Sequence, residues 1–238
     1  MTKTLMLLAL SAAVSASAST PLGTSASTPL GTSQDTPFNG KDFTGWKFKG
    51  GESKSKWKIG KVSLDPADPH KVVVAPDGNE MINAEGHSVD VSTEAKWGDA
   101  VIEVEVLVAK GQNSGVYVMG EYEIQVLDSF GKEKVGAGDM GGLYAAAAPK
   151  VNASKAPGEW QKFVIDFRAP KFDDQGKKTA NAKFVKIELN GQAIHENVEM
   201  KGPTPGGLTG KEAAAGPILY QGDHGIVAYR NLKVTPVK

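Results

Sequence analysis

The chain has 238 residues, with 27 basic and 27 acidic side chains. Zero formal net charge and the lack of a long basic run argue against nucleic acid or an anionic membrane surface as a partner. The absence of cysteine excludes disulfides, thiolate metal ligands, a cysteine nucleophile and a lipidated amino-terminal cysteine, while 28 glycines and 13 prolines predict a turn-rich β fold.

Residues 1–18 read as a signal peptide. Lys3 gives a short positive start, "LMLLALSAAV" (5–14) is the apolar stretch, and Ala16-Ser17-Ala18 is the cleavage site. The apolar stretch is too short to span a bilayer, and no later segment is apolar enough to do so. The mature protein is therefore expected to be secreted or periplasmic. Two octapeptides follow, "STPLGTSA" (19–26) and "STPLGTSQ" (27–34). Two such short units cannot build a core, so residues 19–36 read as a disordered linker and residues 37–238 as one domain.

Within that domain the alternation is mostly period two, the signature of strands buried on one face. Along "AVIEVEVLV" (100–108), Val101, Glu103, Glu105 and Leu107 share one face, and Ile102, Val104, Val106 and Val108 the other. "NSGVYVMGEYEIQVLDS" (113–129) reads as strand, glycine turn, strand. In its second half Tyr122, Ile124 and Val126 form an apolar face, while Glu121, Glu123, Gln125 and Leu127 form the opposite one. Asp128 falls on the apolar side, so it sits at the strand end or on a bulge. "EWQKFVIDFR" puts Phe163, Ile165 and Phe167 inward and Asp166 and Arg168 outward. Asn190-Gly191 between two alternating runs is a strong hairpin signal. "GPILYQGDHGIVAYRNLKV" (216–234) predicts two more strands around Gly225. No convincing amphipathic helix is present. The expected fold is all-β, an antiparallel sandwich or jelly roll whose outer sheet face becomes a groove if the sheet curves.

The polar faces of these strands carry the candidate chemistry. Same-face neighbours two apart on a strand are about 6.6–7 Å apart. Carboxylates at such separations suit sugar chemistry, where one group donates a proton and another accepts one. Glu103 and Glu105, Asp166 and Arg168, and His224 on a fourth strand extend the polar set. Most of Trp46, Trp57, Trp97 and Trp160 are expected in the core. His70 and His87 read as solvated and His195 as a surface residue. No histidine pair has zinc-ligand spacing, so no metal site is expected. A divalent cation such as calcium could bind the carboxylates, but no loop has the regular acidic spacing that would argue for it. No other cofactor is expected, and phosphate-loop, dinucleotide and serine-elbow motifs are absent.

Five ordered stretches resemble one family: "FNGKDFTGWKF", "NSGVYVMGEYEIQVLDS", "APGEWQKFVIDFRAPKFDDQGKK", "NGQAIHENVEMKGPT" and "GPILYQGDHGIVAYRNLKV". Together they look like the 3-keto-disaccharide hydrolase domain family, over about residues 37–238. One departure is Gly222, which stands between Gln221 and the Asp223-His224-Gly225 that the family pattern joins directly. The resemblance implies a concanavalin A-like jelly roll of two antiparallel sheets with a concave polar face. It also implies a carbohydrate substrate, a glycoside whose C3 hydroxyl is oxidised to a ketone. A base would remove the acidified C2 proton and the C1 aglycone would leave.

By position, Glu123 is the expected base. His224 or Glu105 is the expected acid or water activator. Asn113, Gln125, Asp166, Arg168 and Arg230 are expected to bind sugar hydroxyls or the oxyanion. Asp128 is a second carboxylate candidate, or a structural partner of Arg230. Plain two-carboxylate hydrolysis, a non-catalytic lectin-like binding module and a structural domain with a decayed site are the rival readings.

Overall fold

The computed structural model describes Met1 and residues 34–237. The predicted signal peptide, Met1 apart, and most of the predicted linker therefore lie outside the described residues. Fourteen strands follow in order: β1 (Trp46–Phe48), β2 (Lys58–Asp65), β3 (Asp68–Asn83), β4 (Val91–Thr93), β5 (Ala100–Val108), β6 (Asn113–Val118), β7 (Tyr122–Leu127), β8 (Gln161–Arg168), β9 (Lys171–Phe172), β10 (Lys178–Ala180), β11 (Ala182–Leu189), β12 (Gln192–Met200), β13 (Leu219–Tyr220) and β14 (Val227–Pro236). Among the described residues there is no α-helix. A five-stranded sheet runs β1-β4-β13-β6-β7, and a seven-stranded sheet runs β12-β11-β8-β5-β14-β3-β2. Every pairing in both is antiparallel. The result is the expected all-β jelly-roll sandwich.

Alternation explains which sheet faces meet. Val116, Val118, Tyr122, Ile124 and Val126 from β6 and β7 are fully buried, as are Ile102, Val104, Phe163, Ile165 and Phe167 from β5 and β8. These two apolar faces form one core. Aromatic rings tie the layers together. Tyr220 of the smaller sheet stacks on Tyr229 of the larger one at 3.8 Å, and Tyr122 lies 5.6 Å from Phe167. Such pairs add about 0.5–1.5 kcal/mol beyond the area they bury. Trp46, Trp57 and Trp97 are in this core, as expected for most of the tryptophans.

Local turn chemistry sets the register. Asn190 and Gly191 both have positive φ, and Leu189 pairs with Gln192, so β11 and β12 are joined by a two-residue turn. The β6–β7 hairpin is symmetric about Gly120, also at positive φ, which sets Val118 opposite Tyr122 and Tyr117 opposite Glu123. Asp35 pairs with Val234 through both backbone groups, and its carboxylate accepts from Trp97 Nε1 at 2.9 Å. The folded unit thus takes in Asp35, two residues ahead of the boundary drawn from composition.

Candidate functional site

The outer face of the five-stranded sheet gathers polar side chains around Glu123. Across the sheet, Ser92 pairs with Leu219, Leu219 with Tyr117, and Tyr117 with Glu123. One row along, Gly115 pairs with Gln125, and Gln221 donates its backbone N–H to Gly115. Asn113 heads β6 beyond them. The tyrosine floor beneath is braced: Ser114 shares a 2.7 Å hydrogen bond with the Tyr229 hydroxyl and donates to the Gln221 carbonyl at 2.7 Å.

Glu123 is only 3% exposed. Burial pushes its carboxyl up to about 7, against the lowering pull of the Tyr117 hydroxyl and the His224 ring. Burial and the neighbouring Glu123 charge raise the Tyr117 phenol, so it stays protonated throughout the ordinary pH range. A carboxylate that titrates near neutrality is suited to take and return a proton. Gly115 makes the room for it. A Cβ there would lie 2.4 Å from Glu123 Oε1, so only a glycine lets the carboxylate lean over β6.

The amides around it are unsatisfied. The side-chain oxygens of Asn113, Gln125 and Gln221 are buried with no hydrogen-bond partner. Buried acceptors normally have partners, and an orphan costs about 1–3 kcal/mol. These three orphans share one patch of sheet with Glu123, and that makes the patch the candidate site.

His224 is not on a strand, as alternation suggested, but in the Gln221–Ile226 connection between β13 and β14. That connection is pressed onto its neighbours. A Cβ at Gly222 would meet Val89 O at 2.1 Å, and one at Gly225 would meet the Asn113 backbone at 2.6 Å. Gly222 N–H also donates to Asp90. The extra glycine thus has a steric reason, because only glycine lets the loop pass Val89. His224 is exposed, with Nδ1 hydrogen-bonded to Asp223. Asp90 is buried and paired with Lys49 at 2.9 Å.

Other predicted residues stand elsewhere. Glu105, Asp166, Arg168 and Arg230 lie on the outer face of the seven-stranded sheet, across the sandwich from Glu123. Their strands show similar alternation, but sequence alternation cannot say which sheet a strand joins. Arg230 Nε holds Glu105 at 2.7 Å, Nη1 holds Glu80 at 3.3 Å, and its guanidinium lies 4.0 Å over the Trp160 ring. Arg168 pairs with Asp166 beside it. Asp128 caps a turn, accepting from Gly111 N–H at 2.9 Å, and Arg230 is not its partner. Glu121 is buried and accepts from Thr209 N–H, the Thr209 hydroxyl and Gly210 N–H, so it anchors the loop before β13. His195 is buried rather than on the surface, its Nε2 2.8 Å from the Gly141 carbonyl, and burial lowers its pKa.

These placements predict that Arg230→Ala lowers stability by about 2 kcal/mol, because it strands Glu80 and Glu105. Turnover should change less than twofold. Urea unfolding beside steady-state kinetics checks both.

Sequence reasoning missed Tyr117, Gln221, Asp90 and Lys49. For Tyr117 a signal existed: counting outward from Gly120 at the hairpin centre places it opposite Glu123. Among the described residues, no group of three or more His, Asp or Glu side chains is placed to hold a metal ion. No helix among them is long and apolar enough to cross a membrane.

Comparison with known proteins agrees with this fold. A family model described as the 3-keto-alpha-glucoside-1,2-lyase-like domain matches residues 35–235. The crystal structure of a candidate glycosyl hydrolase from Parabacteroides distasonis ATCC 8503, at 2.13 Å resolution, is 25% identical. It superposes with a TM-score of 0.66 over 86% of this chain and 84% of its own. A second candidate glycosyl hydrolase from the same organism, at 1.70 Å, is 18% identical, with a TM-score of 0.59 over 86% of this chain and 94% of its own. No curated protein matches the chain.

Proposed function

The chain belongs to the 3-keto-alpha-glucoside-1,2-lyase-like domain family, and from that premise we propose that it cleaves 3-keto-glycosides by elimination, with Glu123 as the base. The observation that carries this reading is the buried Glu123 carboxyl, held near neutrality beside three amide oxygens that have no partner. A C3 ketone acidifies the proton on C2. Glu123 takes that proton, the C2–H electrons form the C1–C2 double bond, and the C1–O bond breaks. The aglycone oxygen leaves with a proton from an acid. Water adding across the double bond in a later step would give the free 3-keto sugar.

The neighbouring groups suit the remaining roles. The Tyr117 hydroxyl stays protonated, and once Glu123 has taken the C2 proton its O–H is free to turn from that carboxyl toward the enolate oxygen. Asp223 occupies Nδ1 of His224, which leaves Nε2 to face the departing oxygen. Asn113, Gln125 and Gln221 accept hydrogen bonds from ring hydroxyls. Plain hydrolysis by a carboxylate pair would need a second acid opposite Glu123. Glu105, the other glutamate considered for catalysis, is across the sandwich. The signal peptide expected from residues 1–18 would place the substrate outside the cytoplasm.

The test is incubation of the mature protein with a 3-keto-α-glucoside bearing a chromogenic aglycone, beside its unoxidised parent. Elimination predicts release from the keto substrate alone. Release from both would mean ordinary hydrolysis. Release from neither, with saturable glycan binding, would turn the reading to the lectin-like module.

A further inference from the structure

The loop that carries His224 is held by one buried side chain. Asn83 ends β3 and is fully buried. Its Nδ2 donates to the Gly222 carbonyl at 2.7 Å and to the Gly225 carbonyl at 3.1 Å. Its Oδ1 accepts from Gly86 N–H at 3.2 Å. A single amide thus commits both of its N–H donors to the two ends of a four-residue segment. Asp223 and His224 lie between those ends, at the tip of the bend.

The rest of the segment backbone is fixed as well. Gly222 N–H donates to Asp90, and the Gly222 carbonyl also accepts from Ser88 N–H at 2.8 Å. Ile226 N–H donates to Gln112 Oε1 at 3.0 Å. Gly225 lies against the backbone of Asn113, whose amide oxygen is one of the three orphans. The side chains at the tip are treated differently, since Asp223 and His224 are both about half exposed. The His224 ring is still near enough to Glu123 for its charge to act on that carboxyl. An exposed imidazole on an untethered loop would sample many positions, and a misplacement of about 1 Å can cost about 10²-fold in rate.

We propose that Asn83 is a positioning residue for the elimination, which never meets the substrate but holds the His224 imidazole where the aglycone oxygen departs. The inference rests on the reading of His224 as the acid. An aspartate at position 83 has the shape of the asparagine without its donors. Its carboxylate would face two carbonyl oxygens and release both ends of the loop.

The test compares methyl 3-keto-α-glucoside with its p-nitrophenyl counterpart. Methanol leaves only with a proton, whereas p-nitrophenolate leaves without one. In Asn83→Asp, kcat/KM for the methyl compound is expected to fall by about 10²-fold or more, the scale of a lost general acid, mainly through kcat. The p-nitrophenyl compound should stay within about threefold, because its departure needs no acid. This split is the readout, since damage to the fold lowers both substrates alike. Equal losses on the two substrates, or no loss on either, would overturn the positioning role. Asn83 is fully buried, so Gln112→Ala stands beside it, removing only the Ile226 anchor at the rim of the loop. It should show the same split at about tenfold, and its absence there overturns the inference if Asn83→Asp does not fold. His224→Ala separates the two readings. A split in His224→Ala without one in the anchor variants overturns the positioning role alone, whereas no split in His224→Ala overturns the acid reading beneath it.

Discussion

Glu123→Gln is expected to lower kcat/KM for the keto substrate by at least about 10³-fold, the scale on which a positioned general base contributes. The same variant should be more stable than the wild type at alkaline pH. An unfolded glutamate ionises near 4.5, whereas burial holds the folded one near 7. Between those values the unfolded chain gives up its proton first, so wild-type stability falls as pH rises from about 4.5 to about 7. Above that window the buried charge costs about 3 kcal/mol, which the glutamine does not carry. The stability gap between variant and wild type should therefore be widest at pH 8 and close toward pH 4. Denaturant unfolding across that range checks it. Wild-type kcat/KM should rise with pH through about 7, as the base loses its proton. A variant that keeps wild-type activity and shows no pH-dependent gain would remove Glu123 from the role. This combination, lost activity with gained stability, separates a functional carboxylate from a structural one, whose removal does harm to both.

Gly115→Ala tests the geometry rather than the charge. The added methyl would sit 2.4 Å from Glu123 Oε1 and 3.0 Å from its Cγ. The carboxylate must swing aside, since the β6 backbone is held by Tyr117–Glu123 and Gly115–Gln125 pairing. A displacement of this order costs about 10²-fold in rate when it moves a catalytic group. The expected result is a fall of about 10²-fold in kcat/KM, with about 1–3 kcal/mol of stability lost to overpacking. A rate within twofold of wild type would show that the carboxylate does not need the space over Gly115.

The comparison of sequence with structure is instructive strand by strand. β5 and β8 were legible because each keeps one face more open, so a charge or a hydrophobe at every second position reports the face directly. β7 was legible because its polar and apolar residues alternate even though both faces are buried. The β11–β12 turn was legible because Asn190-Gly191 is one of the few dipeptides that accept two left-handed residues in a row. The β2–β3 hairpin was not. Gly60 pairs with Glu80 but Lys61 pairs with Ala75, so residues 76–79 loop out and the period breaks. Glu80 then turns its carboxylate to the Val62 N–H at 2.6 Å. Much of β3 is also exposed, so little hydrophobic signal marks it.

For the site, alternation assigned each side chain to a face but not to a sheet. Glu105 precedes Glu123 by two strands in sequence yet belongs to the opposite side of the sandwich. The same ambiguity drew in Arg168 and Arg230. What sequence did carry was the local density of polar residues in β7, together with the glycines that flank Asp223 and His224. Asp90 carried no local signal, because it meets the Gly222 loop through a contact far along the chain.

The central claim is that a proton leaves C2 before the glycosidic bond breaks. A 3-keto-α-glucoside deuterated at C2 tests it most directly, with the enzyme-free exchange measured alongside. Elimination by Glu123 predicts a primary isotope effect on kcat/KM, and released sugar that has lost C2 deuterium to solvent faster than the enzyme-free exchange. Released sugar that still carries its C2 deuterium, formed at the same rate as from the unlabelled substrate, would contradict the account.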